Sequence, residues 1–118
     1  VLVSDPTKTM ADFLDDPSLA GGMRVVRDVF EEYLNSEHKD LPKLVTYAEK
    51  MGNRTILKRL GFMLETMGLA DEVEPLGLKN KLSKGNSDFD PLVENDVIVN
   101  RWSLRVPQVW KKEYDRER

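Results

Sequence analysis

The 118 residues are 40% hydrophobic and 33% charged, with a net charge of −3 and a pI near 5.2. That composition suits one folded domain, excludes a disordered chain, and disfavours a domain whose main work is neutralising phosphates. There is no cysteine, so disulfides and thiolate metal sites are excluded. No apolar run approaches the roughly 18 residues of a membrane helix, and a cytoplasmic setting is the expectation.

In chain order, Val1 to Val3 read as a strand entered in the middle of a longer protein. Asp5 then caps a helix with Pro6 in its first position, where a missing N–H costs nothing. Met10, Phe13 and Leu14 share one face of that helix, and Asp15-Asp16-Pro17 ends it. A second helix starts near Ser18 or Gly22 and runs to about Asn35, with Met23, Val26, Val29, Phe30 and Tyr33 as its apolar stripe. Gly21-Gly22 does not make a phosphate loop, because no strand leads into it and no Lys-Ser/Thr follows. His38, the only histidine, sits in the polar loop "NSEHKD" and is expected to be exposed.

A third helix follows Asp40 as cap, with Leu41, Leu44, Val45 and Ala48 on one face. Gly52 ends it and Asn53 caps a fourth helix, from Arg54 to about Met67, which Gly68 closes. Leu57, Leu60, Leu64 and Met67 point inward. Gly61, well inside the helix, is expected to let a neighbouring helix approach closely. Beyond Leu69 the pattern weakens to a short helix interrupted by Pro75, then to loop chemistry in "SKGNSDFDP". "VIVNRWSLRVP" reads as one strand, with Trp102, Leu104 and Val106 on its buried side. Residues 111–118, "KKEYDRER", read as a frayed charged tail. The expected architecture is mainly α (α+β): four to five helices with a small β element from the chain start and the 97–106 strand, forming one domain over residues 1–110.

No hydrolase, metalloprotease, kinase or phosphate-loop pattern is present, and no catalytic residue, metal or cofactor is expected. The aspartates at 12, 15 and 16, and at 88 and 90, stand where aspartates cap helices or shape turns. From Leu41 to Gly68, five cations (Lys43, Lys50, Arg54, Lys58, Arg59) face two anions (Glu49, Glu65). Arg54 and Lys58 stack at i, i+4 with Arg59 beside them, which makes these three the candidate interaction surface. The break at Gly52-Asn53 is shorter than a DNA-reading helix-turn-helix uses, and a packed helical hairpin fits better.

Several short motifs occur in an order that resembles the C-terminal domain of AbiEi-type antitoxins, from the abortive-infection AbiE toxin–antitoxin systems. They are DPxxTxxDxL at Asp5, Pro6, Thr9, Asp12 and Leu14; the pair Gly21-Gly22; and YAExxGN at Tyr47, Ala48, Glu49, Gly52 and Asn53. The run from Lys58 to Phe62, the turn Asp90-Pro91 and the pair Arg101-Trp102 complete the set. The resemblance spans residues 4 to about 106. It implies a transcriptional regulator whose upstream winged helix-turn-helix binds operator DNA, while this domain counteracts a nucleotidyltransferase-like toxin without a necessary direct contact. It supplies no catalytic residues. Two rival expectations are a nucleic-acid-binding module using the 54–67 helix, and an enzyme that modifies the toxin or its target.

Overall fold

The computed structural model describes residues 5–117. The expected strand at Val1 to Val3 lies outside them. Six α-helices form within this span: α1 (Pro6–Asp15), α2 (Met23–Leu34), α3 (Leu41–Met51), α4 (Thr55–Thr66), α5 (Val73–Leu76) and α6 (Gln108–Glu117). Three short strands, β1 (Ser87–Asp88), β2 (Val97–Val99) and β3 (Leu104–Val106), make one sheet in the order β1-β3-β2. β2 pairs antiparallel with β3, with Val97 opposite Val106, and β1 pairs parallel, with Ser87 opposite Leu104. The fold is mainly helical with a small sheet, as the sequence leads one to expect.

The caps act locally as their chemistry dictates. The Asp5 carboxylate accepts from Thr7 N, and the Asp40 carboxylate accepts from Lys43 N. Asn53 Oδ1 accepts from Thr55 N at 3.1 Å and opens α4. At the other end Gly68 takes a left-handed φ of 78°, so that Leu69 N returns to Leu64 O at 2.8 Å. One cap is remote in sequence: Asp90 Oδ2 accepts from Met23 N, the first residue of α2, at 3.1 Å. A Cβ at Gly22 would stand 3.3 Å from that same oxygen, so Gly22 serves this close approach.

α4 is the centre of the molecule. Every residue from Ile56 to Thr66 is buried, polar ones included, because α1, α3, α5 and α6 all pack around it. The apolar stripes of the outer helices close on it: Met10, Ala11 and Leu14 from α1, Met23, Val26, Phe30 and Tyr33 from α2, and Leu41, Leu44, Val45 and Ala48 from α3 are buried. Phe13 and Val29, expected in those stripes, are only partly buried.

Four expectations need correction. The 97–106 segment is a hairpin, with Asn100 to Ser103 turning between β2 and β3 and Ser103 at a left-handed φ of 51°. Trp102 therefore sits in the turn, where it is fully buried, and not on a strand face beside Leu104 and Val106. The neighbour that needs Gly61 is this indole and no helix: a Cβ at 61 would fall 2.1 Å from Trp102 Cη2. The charged tail is the body of α6, whose Trp110 and Tyr114, one helical step of four apart, are buried against the core. Phe62 of α4 stacks on Tyr114 and meets Phe89 edge-on, and Phe89 meets Trp110 in turn. The segment read as loop chemistry also supplies a strand, β1, too short for any periodicity to show.

Candidate functional site

The three candidate cations separate in depth. Arg54 is exposed, whereas Lys58 is wholly buried and Arg59 is 7% exposed. The helical geometry places Arg54 and Lys58 on one face as expected, but at Lys58 that face is covered. Residues 81–87 lie across it, and their polar groups take up the cations: Arg54 Nη1 donates to Lys81 O at 2.6 Å, and Lys58 Nζ donates to Gly85 O at 2.7 Å and Ser87 Oγ at 3.0 Å. Irregular backbone laid against a helix has carbonyls with no ladder partner, and long cationic side chains supply their donors.

Arg59 is committed further. Its guanidinium donates to four carbonyl oxygens: Leu14 at 2.6 Å, Asp15 at 2.9 Å, Asp88 at 2.9 Å and Phe89 at 3.0 Å. It joins the end of α1, the middle of α4 and β1 at one point. Burial pulls its pKa down, opposed by the charges of Asp15, Asp16, Asp90 and Asp88. Burial likewise lowers the Lys58 ammonium from the ordinary lysine value. Arg54 is thus the one of the three that faces solvent, with the exposed Lys50 and Lys84 in neighbouring segments. α4 also offers no face to a nucleic-acid groove, since every residue from Ile56 to Thr66 is buried.

The residue that sequence reading passed over is Glu65, 2% exposed at the far end of α4. Its Oε1 accepts from Trp102 Nε1 at 2.6 Å and from Tyr114 Oη at 2.7 Å, and its Oε2 accepts from Arg101 Nε at 2.8 Å. Burial alone would raise this carboxyl, but the donors from Trp102, Tyr114 and Arg101 outweigh it and hold the pKa below the usual glutamate range. The signal was available: a lone glutamate in the apolar run "LGFMLETMG", four residues after the glycine that admits the indole. One carboxylate ties the hairpin turn and α6 to the central helix.

Elsewhere, Asp5 accepts from the Tyr47 hydroxyl and pairs with Lys43 at 3.0 Å, and its pKa falls to about 2 for those reasons. Asn53 Nδ2 donates to Asp15 Oδ1 at 2.5 Å. Asp15 and Asp88 also meet Arg59 through their backbone oxygens, so those two aspartates, like the capping Asp90, are explained by packing. His38 is exposed as expected. No helix among the described residues is long and apolar enough to cross a membrane. None of the family models, curated proteins or solved structures compared with the chain matches it.

Proposed function

We propose that this is the antitoxin domain of an AbiEi-type transcriptional regulator, a type IV system in which the domain counteracts a nucleotidyltransferase-like toxin in the cytoplasm. One observation carries the reading: the scattered motifs of the resemblance meet in space, pair by pair. Asp5 meets Tyr47; Gly22 meets Asp90; Gly61, inside the Lys58–Phe62 run, meets Trp102. These motif residues stand 41 to 68 positions apart in the sequence and meet in one fold, which supports reading them as parts of a single pattern. Operator recognition, on this reading, belongs to a winged helix upstream, in keeping with the unfavourable net charge here.

Arg54 is the remaining candidate of the sequence-derived surface. In the full-length regulator, Arg54→Glu is expected to leave folding intact, since exposed substitutions usually stay within about 0.5 kcal/mol. It should weaken rescue of cells expressing the toxin encoded next to it, without changing repression of its own promoter. Failure of the unsubstituted regulator to rescue would overturn the proposed function, while full rescue by Arg54→Glu at matched protein level would remove only the role of Arg54.

A further inference from the structure

A buried lysine normally meets a carboxylate; among the described residues none pairs with Lys58. Its side chain is wholly buried, and its Nζ touches Gly85 O at 2.7 Å and Ser87 Oγ at 3.0 Å. Ser87, the first residue of β1, is half-buried, and its Oγ also receives the Thr55 hydroxyl at 3.2 Å. Thr55 is the first residue of α4, so the positive end of the central helix lies beside the serine oxygen and favours negative charge there. Two side chains of α4, Lys58 and Thr55, converge on the Ser87 hydroxyl, 29 and 32 positions away in sequence.

We propose that Ser87 is a nucleophile activated by Lys58 as general base, with Thr55 as the positioning hydroxyl, acting on carbonyl carbons of acyl esters. The neutral amine has two donors and one acceptor position. The ammonium donates to both Gly85 O and Ser87 Oγ. In the neutral amine the donation to Gly85 O is kept and the contact with Ser87 reverses, so that Nζ accepts the Ser87 proton while Ser87 Oγ still accepts from Thr55. Burial without a counter-ion is what makes a lysine amine available as a base, and the nucleophile-to-base distance is within hydrogen-bond reach. The lowered pKa of Lys58 agrees with this geometry.

In the reaction, Ser87 Oγ attacks the ester carbon and a new C–O bond forms while Lys58 Nζ takes the hydroxyl proton. Collapse of the tetrahedral intermediate breaks the bond to the alcohol, and the Lys58 ammonium returns the proton to that leaving oxygen. Water then attacks the acyl carbon and forms a new C–O bond as Lys58 Nζ takes its proton. The bond from carbon to Ser87 Oγ breaks, and the Lys58 ammonium returns the proton to Ser87 Oγ, which releases the carboxylic acid and restores the hydroxyl. No oxidant, metal or second substrate is required. The inference stands apart from the antitoxin reading and rests on this cluster alone.

The test uses the full chain with an alkyl fluorophosphonate, which marks activated serines, and reads the adduct by intact mass and peptide mapping. A single adduct on Ser87 is expected, absent in Ser87→Ala, with its rate reduced roughly 100-fold in Lys58→Met. Thr55→Val should slow it less. The rate should rise with pH to a plateau whose midpoint lies below the 10.5 of an ordinary lysine. Should Lys58→Met fail to fold by circular dichroism, the pH profile of the unsubstituted chain decides. No adduct on Ser87, an adduct whose rate is the same without Lys58, or a rate that climbs with no inflection below 10.5 would each overturn the proposal.

Discussion

At residue 61 the balance between helix propensity and packing is decided by distance. Alanine is the better helix former by about 1 kcal/mol, which argues for Gly61→Ala as a gain. Its methyl, however, would sit 2.1 Å from the Trp102 ring, well inside contact, and that ring is itself fully buried with its Nε1–H held by Glu65. Gly61→Ala is therefore expected to destabilise by roughly 2 kcal/mol or more, the range for overpacking a tight core. Trp102→Ala should cost about 3–5 kcal/mol through the cavity it leaves. Denaturant titration checks both. A Gly61→Ala protein as stable as the parent would show that the indole can slide aside.

At the scale of elements, α6 is the piece whose weight is easiest to underestimate. A chain ended after Pro107 would lose Trp110 and Tyr114, leaving Phe62, Phe89 and Glu65 without partners they now have. Such a truncation is expected to lose cooperative unfolding and to bind a dye that reports exposed apolar surface. A sharp, two-state melt in the truncated chain would contradict it. The helices with three or more apolar residues at helical spacing were legible in the sequence, together with their caps at Asp5, Asp40, Gly52 and Gly68. α6 was not, because two aromatic residues among charges carry too little periodicity. The hairpin was hidden because Asn100 to Ser103 interrupt the strand without a glycine, so the segment kept its alternation. The candidate site was misjudged for a related reason. Spacing places Arg54, Lys58 and Arg59 on the helix, but only tertiary structure reveals that residues 81–89 cover two of them.

For the whole molecule, groups whose folded pKa departs from the ordinary value make stability respond to pH. Glu65 has a folded pKa below its ordinary value of 4.5, so its contribution is fully present above 4.5. It is lost as pH falls through the lower folded value, where the protonated carboxyl can no longer serve all three donors. Asp5, at about 2 against an ordinary 3.8, extends the acid-labile window downward. Urea midpoints should therefore decline from about pH 4.5 downward, and Glu65→Gln should start lower while showing a shallower decline. An unchanged slope in Glu65→Gln would mean that other carboxylates govern acid unfolding. Lys58 works in the opposite sense. Its lowered pKa means that the unfolded chain holds the proton more tightly, so this group's penalty is relieved as pH rises through its folded value toward 10.5.

The contact between Gly61 and Trp102 also constrains how the sequence can drift over generations. A methyl at 61 is excluded while the indole stands, and a smaller residue at 102 leaves a void while the glycine stands. Each single step is selected against, yet a lineage that changed both together could reach an equally well packed core. The two positions are then inherited as a unit, and a descendant carrying alanine or serine at 61 should carry something smaller than tryptophan at 102.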